Sequence, residues 1–182
     1  MLSYFLPINA IFKQIMLLNT HIIEKITMDS IDLKILDILQ RDCTIAIQDI
    51  AERVNLSTSP CWKRIKRMEE QGIIKSRVAL LDGSQINLGI SVFVHIKTLR
   101  HDNAWLTSFS ERILSFDEVV DCYRMSGEWD YLLRVAVKDI HAFDSFYKKL
   151  IKDIDGLSNV SSSFAMEEIK HTTCLPIDVG TL

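Results

Sequence analysis

The sequence predicts an α+β protein with two parts, a compact group of three helices and a later domain of alternating strands and helices. Between residues 30 and 70, apolar residues recur every three or four positions, as on helices that bury one face. After residue 87 the chain alternates between strand-like and helical stretches in the order βαββαβ. With 182 residues, 48% of them hydrophobic, it is long enough for two buried cores.

The first 27 residues are apolar but are interrupted by polar residues and by Pro7. Their longest clean apolar run is shorter than the ~20 residues of a membrane span. They also lack the basic start and small-residue cleavage site of a secretory signal. Because Met28 directly precedes the first well-patterned helix, we interpret residues 1–27 as a start-site extension or a short accessory helix. We expect a cytoplasmic protein without a membrane segment.

Residues 28–75 are predicted to form the three-helix domain. Ser30 is expected to cap the first helix, whose inner face carries Ile31, Ile35, Ile38 and Leu39. The second helix lacks a polar cap because Ala46 occupies that position, and its inner face carries Ile47, Ile50, Ala51 and Val54. Asn55 suits the tight turn that follows, since asparagine tolerates a left-handed backbone better than other residues with side chains.

The third helix is predicted to begin after a Ser57 cap, with Pro60 in its first turn, where a missing N–H costs little. Gly72 ends this helix, and Ile73 to Lys75 begin an extended segment that is interpreted as a short wing. The inward face of the helix carries Cys61, Ile65 and Met68.

Positive charge is concentrated on the third helix. The whole chain carries a net charge of −3, yet residues 60–77 hold six basic and two acidic residues, a local +4. A cationic helix after a tight turn fits the major groove of DNA, so residues 47–72 are interpreted as a helix-turn-helix. The expected DNA-binding residues are Ser57, Thr58, Ser59, Trp62 and Lys63 in the groove, with Arg64, Lys66 and Arg67 on phosphates. The alternatives are a solvated basic helix face and, for Trp62, packing on its own domain.

Residues 76–86 are interpreted as a linker and residues 87–182 as a ferredoxin-like βαββαβ sandwich. Its four-stranded antiparallel sheet would carry both helices on one face and leave the other face open. The strands carry Phe93, Val135, Val137 and Phe164, and apolar side chains of this size rarely remain in water. The sequence therefore predicts that a second copy covers the open face.

From Ser30 to Pro176 the chain resembles the leucine-responsive and asparagine-responsive regulator family (Lrp/AsnC) of prokaryotes. The resemblance is carried by IDLKILDILQ, DIAERVNLSTSPCWKRIKRMEEQGII, LGISVFVHI, SGEWDYLLRV and FAMEEIKHTT, and the chain departs from the family at Ala46, Asn55 and Trp129. The resemblance implies a winged helix-turn-helix joined to a ligand-sensing sandwich. It also implies homodimers that assemble into octamers, and regulation of amino-acid metabolism genes in response to a small amino acid.

In the family, the effector binds at contacts between dimers, near the loop that matches Met125 to Leu132. Gly127 permits a tight turn whose N–H groups can meet a carboxylate, and Asp130 offers an acceptor for an ammonium group. The Arg124 guanidinium suits a carboxylate of the effector or an ion pair at an interface. Gly127 and Asp130 are equally compatible with shaping a hairpin. The expected effector-binding residues are Arg124, Met125, Ser126, Gly127, Asp130, Tyr131, Leu132, Phe164 and Ala165.

Nothing in the sequence supports an enzyme, a cofactor or a metal site. There is no phosphate-binding glycine loop or nucleophile elbow, and the five histidines share no ligand spacing. The four cysteines lie far apart and form no CxxC pair, so reduced thiols are expected. Two alternatives to a regulator remain, a stand-alone amino-acid-binding module and an architectural DNA-binding protein without an effector.

Overall fold

The computed structural model describes residues 28–179, which form two compact units. Residues 28–78 together with 172–179 form the first unit, called the head below, and residues 79–171 form the second, the sheet domain. The predicted start-site extension or accessory helix at residues 1–27 lies outside the described residues. None of the described helices has both the length and the apolarity needed to cross a membrane.

Three helices make up the head, α1 (Ser30–Arg41), α2 (Ile47–Arg53) and α3 (Thr58–Glu70). Their predicted inner faces are confirmed, since the apolar residues of all three helices meet in one buried cluster. The most deeply buried members are Ile35, Ile50, Ala51, Cys61, Ile65 and Met68, each no more than 2% exposed. This cluster fixes α3 on α1 and α2 and leaves the opposite side of α3 in solvent.

The caps of the helices differ in part from the prediction. Asp29, not Ser30, caps α1, because its carboxylate accepts from the Asp32 N–H at 2.8 Å while the Asp32 carboxylate accepts from the Asp29 N–H at 3.3 Å. Ser57 does occupy the cap position of α3, but its side chain accepts no capping hydrogen bond, and Ala46 supplies none to α2.

Two positive φ angles mark the turn and the end of the helix-turn-helix as predicted. Asn55 has a φ of 55° in the turn between α2 and α3, and Gly72 has a φ of 70° after α3. The Gly72 N–H donates to Glu69 at 3.0 Å and the Ile73 N–H to Met68 at 2.9 Å, which closes α3 with a Schellman motif. Residues 73–75, the expected start of the wing, pair with no strand in the described chain.

The sheet domain follows the predicted βαββαβ order. A short 3-10 turn (Gly83–Ile86) leads into four strands and two helices. They are β1 (Ile90–Thr98), α4 (Asn103–Leu114), β2 (Val119–Arg124), β3 (Tyr131–Val137), α5 (Ile140–Asp153) and β4 (Leu157–Phe164). The sheet has the order β2-β3-β1-β4 with every pair antiparallel, and the buried strand residues share one core with both helices.

The open face of the sheet is more polar than predicted. Val135 and Val137 are at most 2% exposed and face the helices, because they share strand parity with the core residue Leu133. Phe164 also packs on the helix side, with its ring centroid 5.2 Å from that of Phe143. Of the four predicted apolar residues, only Phe93 alternates away from the core. The expectation was therefore wrong for the other three.

The last strand is shorter than predicted and ends near the beginning of β1. Phe164 lies opposite Val92, the Ala165 N–H donates to Ser91 at 2.9 Å, and β1 begins at Ile90. Residues 165–170, which the sequence placed in the final strand, are irregular.

Residues 172–179 pack on the helices of the head, although the sequence assigned them to the sheet domain. The Gln40 side chain on α1 accepts from the Leu175 N–H at 2.8 Å and donates to the Leu175 carbonyl at 3.0 Å. The Cys174 thiol lies 3.4 Å from the Gln40 carbonyl, one of the carbonyls that the end of α1 leaves unpaired. We call residues 172–179 the tail.

Candidate nucleic-acid interface and ligand loop

The amino end of α3 presents an open polar surface to solvent. The exposed residues there are Ser57, Thr58, Ser59, Trp62, Lys63 and Lys66. In the described chain the three hydroxyl groups make no hydrogen bond, and the first turn of α3 contains no acidic residue. The unpaired N–H groups and positive dipole end of the helix add to the charge of the lysines. This surface can therefore accept a polyanion and offer hydrogen bonds to it.

Trp62 was predicted to pack on its domain or to contact a sugar-phosphate backbone. Its side chain is 49% exposed, and its ring contacts no other aromatic ring among residues 28–179. Half of the indole is thus available to a ligand.

The two arginines of α3 are held in an ion-pair cluster with α1. Arg64 Nη1 donates to Asp29 Oδ2 at 2.7 Å and to Asp32 Oδ1 at 2.8 Å, and Arg67 Nη2 donates to Asp32 Oδ2 at 2.5 Å. The hydrogen bond to Asp32 raises the pKa of Arg64 above its ordinary value. The Asp32 N–H, and to a lesser extent Arg64, hold the pKa of Asp29 below its ordinary value.

This cluster changes how positive charge is distributed over the predicted interface. Two carboxylates balance two guanidinium groups, so the unbalanced charge of α3 falls mainly on the lysines. Lys63 has no ion pair among the described residues, and Lys66 lies 4.0 Å from Glu70. Asp32 was not singled out in the sequence, although its position three and four residues from two inward apolar residues, Ile35 and Leu36, indicates a partly inward side chain.

The loop between β2 and β3 is shaped largely by Asp130. Its carboxylate accepts from the Thr98 N–H at 2.8 Å, its N–H donates to Ile96 at 2.9 Å, and its carbonyl accepts from Met125 at 2.8 Å. This favours the hairpin-shaping alternative for Asp130 over a free acceptor for an ammonium group. Gly127 has a φ of 150° with open space where a side chain would lie, so the loop is accessible there.

Two aromatic residues near this loop, Trp129 within it and Tyr131 at the start of β3, lie on opposite sides of the sheet. Tyr131 is 6% exposed, its ring centroid lies 4.4 Å from that of Phe109, and burial raises the pKa of its hydroxyl. Trp129 instead meets β1, with Lys97 Nζ 4.9 Å from its ring centroid and the His95 ring at 5.5 Å. His95 and Lys97 were not predicted from the sequence, although strand alternation places both opposite the core.

The predicted ligand residues fall into two groups that a single chain does not bring together. Tyr131 pairs with Ile96 near the end of β1, whereas Phe164 pairs with Val92 near its beginning. Four residues of strand separate these positions, which is roughly 13 Å along the sheet. Arg124 to Leu132 therefore form one group, and Phe164 with Ala165 form another.

Comparison with known proteins assigns both units. Residues 28–75 match the profile of a winged helix-turn-helix DNA-binding domain, and residues 91–175 match the Lrp/AsnC ligand binding domain. The chain is 52% identical over 151 residues to the DNA-binding transcriptional activator DecR of Escherichia coli K12, covering 83% of this chain and 99% of DecR. It is 44% identical over 150 residues to the glutamate uptake regulatory protein of Zymomonas mobilis, covering 82% of this chain and 91% of that protein.

Solved structures agree with these matches. An AsnC family transcriptional regulator from Agrobacterium tumefaciens is 55% identical, with a TM-score of 0.80 over 85% of this chain and all of that one. A transcriptional regulator from Neisseria meningitidis, solved as a complex with L-Met, is 36% identical, with a TM-score of 0.77 over 84% of this chain and 98% of that one. The chain therefore belongs to the Lrp/AsnC family of DNA-binding transcriptional regulators, a family of non-enzymes.

Proposed function

We propose that this protein regulates amino-acid metabolism genes in the cytoplasm and that a small amino acid, bound at contacts between dimers, modulates it. The observation that carries the proposal is the exposed polar and cationic amino end of α3, in a chain whose sheet domain matches a ligand-binding family. The Zymomonas relative is named for glutamate uptake, and the Neisseria structure contains L-Met. Both names support an amino acid as the effector of this chain.

The proposed DNA interface centres on Lys63. The hydroxyl groups of Ser57, Thr58 and Ser59 meet base edges or phosphates at the amino end of the helix, and Trp62 lies against a sugar. Lys63 and Lys66 contact phosphates as mobile point charges, whereas Arg64 and Arg67 reach the DNA only from within their ion pairs with Asp29 and Asp32.

The proposed effector site is assembled from more than one copy of the chain. Arg124 is exposed and has no ion pair among the described residues, so its guanidinium is available to a carboxylate. The accessible backbone around Gly127 lies beside it. Phe164 and Ala165, from the other end of a second sheet, would supply apolar contacts. Dimers that cover the open sheet face and assemble further into octamers would bring these groups together.

The DNA-binding part is tested with the duplex that the purified protein enriches from a random-sequence library. Binding is followed by fluorescence anisotropy in the presence of competitor DNA. Lys63→Ala should weaken DNA binding several-fold, because one phosphate contact is lost. For the same reason it should reduce the slope of log affinity against log salt concentration by about one unit. The matched control is Lys152→Ala, which removes the same charge from an exposed position on α5. Equal losses in both variants would contradict the proposed interface.

The effector part is tested by thermal unfolding in the presence of each of the twenty amino acids. A hit should raise the unfolding temperature and shift the mass measured by light scattering, since a ligand stabilises the state it binds. Arg124→Gln should weaken that response while leaving DNA binding without effector unchanged. If no amino acid alters stability, mass or DNA affinity, an architectural DNA-binding protein without an effector becomes the better description.

A further inference from the structure

Asp32 of α1 has a buried carboxylate that accepts hydrogen bonds from two guanidinium groups of α3. It is 1% exposed, and each of its oxygen atoms accepts from a different arginine of α3. Burying a carboxylate without a cationic partner costs free energy, and one arginine is enough to balance its charge. The second arginine is therefore not needed for charge balance.

The two arginines differ in how much of each guanidinium is used. Arg64 donates from Nη1 to both Asp29 and Asp32, and 25% of its side chain is exposed. Among the described residues Arg67 donates to Asp32 alone, from Nη2, and 44% of its side chain is exposed. A guanidinium has about five N–H donors, so roughly four donors of Arg67 make no hydrogen bond to a described residue.

Arg67 also stands at the border between the buried and the exposed side of α3. It lies three residues after Arg64 and four after Lys63, and residues at these spacings are neighbours on a helix surface. Its guanidinium is therefore held by Asp32 and still partly exposed, on the helix surface that also carries the lysine proposed to contact DNA.

We propose that Asp32 is a positioning residue for DNA binding, which holds Arg67 so that its free N–H donors meet a backbone phosphate beside Lys63. Arg64 has the different role of bracing α3 on α1. The inference rests on the proposed DNA interface and adds a residue of α1 that itself contacts no DNA. A planar guanidinium suits this arrangement because it binds a carboxylate and a phosphate at the same time, whereas an ammonium group lacks such a fork.

Removing the charge of Asp32 distinguishes a positioning role from a purely electrostatic one, because the two roles predict opposite changes in DNA affinity. If Asp32 only lowers the positive potential of the head, Asp32→Asn makes the head more cationic and strengthens DNA binding. If Asp32 holds Arg67 in place, the same change frees the arginine, and its phosphate contact is lost because ordering the side chain again costs more than the contact returns. We expect Asp32→Asn to bind the enriched duplex about 3- to 10-fold more weakly, from the usual cost of immobilising one long side chain.

The salt dependence gives a second reading on the same variant. Loss of the Arg67–phosphate contact should reduce the slope of log affinity against log salt concentration by about one unit. Unchanged or tighter binding by Asp32→Asn, or an unchanged or steeper slope, would overturn the proposal. Circular dichroism and thermal unfolding show at which temperatures the variant is folded, and binding is compared there.

If Asp32→Asn does not fold, Arg67→Lys tests the proposed role of Arg67 instead. Lysine keeps the charge but cannot bridge carboxylate and phosphate, so binding should again weaken about 3- to 10-fold. The matched control is Arg41→Lys on α1, where the arginine also pairs with an aspartate, Asp37 at 3.0 Å, but lies outside α3. Binding by Arg67→Lys as tight as that of Arg41→Lys would refute the proposal.

A double-mutant cycle tests whether Asp32 acts through Arg67. Asp32→Asn combined with Arg67→Gln should bind no more weakly than Arg67→Gln alone. An additional loss in the double variant would show that Asp32 acts by another route and would overturn the inference. Lys63→Ala separates the two proposals. If it leaves binding intact, the DNA interface itself is misplaced, whereas a normal loss there with no effect of Asp32→Asn rejects only the role of Asp32.

Discussion

The attachment of the tail to the head leads to a prediction for Gln40→Ala. The Gln40 amide makes two hydrogen bonds with the Leu175 backbone, at 2.8 and 3.0 Å, and Leu175 itself is 71% exposed. The tail therefore owes its position to polar contacts more than to burial of this side chain. With a net contribution of about 0.5 to 1 kcal/mol for each partly exposed hydrogen bond, the substitution should lower the free energy of detaching the tail by about 1 to 2 kcal/mol.

Amide hydrogen exchange at Leu175 follows the attachment, because the Gln40 side-chain oxygen is the acceptor of the Leu175 N–H. A loss of about 1 to 2 kcal/mol corresponds to amide exchange that is roughly 5- to 30-fold faster. The unfolding temperature of the whole head should change little. Gln48→Ala is the matched control, because Gln48 is an exposed glutamine of the same head whose amide, among the described residues, donates only to Glu52, at 3.3 Å. Unchanged exchange at Leu175 in Gln40→Ala, or equal acceleration in Gln48→Ala, would refute the reasoning.

Three further predictions concern stability. Leu150→Ala in the sheet-domain core should lower the free energy of unfolding by about 2 to 5 kcal/mol in denaturant titration, because Leu150 is 0% exposed; a loss below 1 kcal/mol would contradict this. Asn55→Val should cost about 1 to 2 kcal/mol, since a β-branched residue is strained at a φ of 55°, whereas Asn55→Gly should be tolerated. Asp29 has a pKa held below 3.8 by the Asp32 N–H first and by Arg64 to a lesser degree, so its contribution is present above pH 3.8 and is lost as the pH falls through the folded value. Acid titration of unfolding should therefore show a shallower decline for Asp29→Asn than for the wild type, and parallel curves would rule out that role.

Local signals in the sequence were sufficient for most of the backbone. Asn55 marks the turn and Gly72 the end of the helix-turn-helix because few other residues adopt a positive φ, and both were predicted correctly. Helical spacing likewise identified the inward faces of all three helices in the head. These features depend on neighbours within a few residues, which a single sequence displays.

Features that depend on distant partners were predicted less well. Asp32 looks like an ordinary polar residue of α1 until Arg64 and Arg67, more than thirty residues later in the chain, are placed against it. The attachment of Leu175 to Gln40 joins residues 135 positions apart and has no local signature. Val135 was assigned to the wrong face because a shift of one residue in strand parity exchanges the two sides of a sheet.

Arg124 and Phe164 lie near opposite ends of the sheet, as measured along β1, and this separation has a genetic consequence. If each binding site takes its guanidinium from one subunit and its apolar wall from another, a defect in either residue disables every site of a uniform assembly. Coexpression of an Arg124→Gln chain with a Phe164→Ala chain would then produce mixed assemblies in which some junctions combine two intact halves. Two alleles that are individually unresponsive would restore part of the response when present in the same cell.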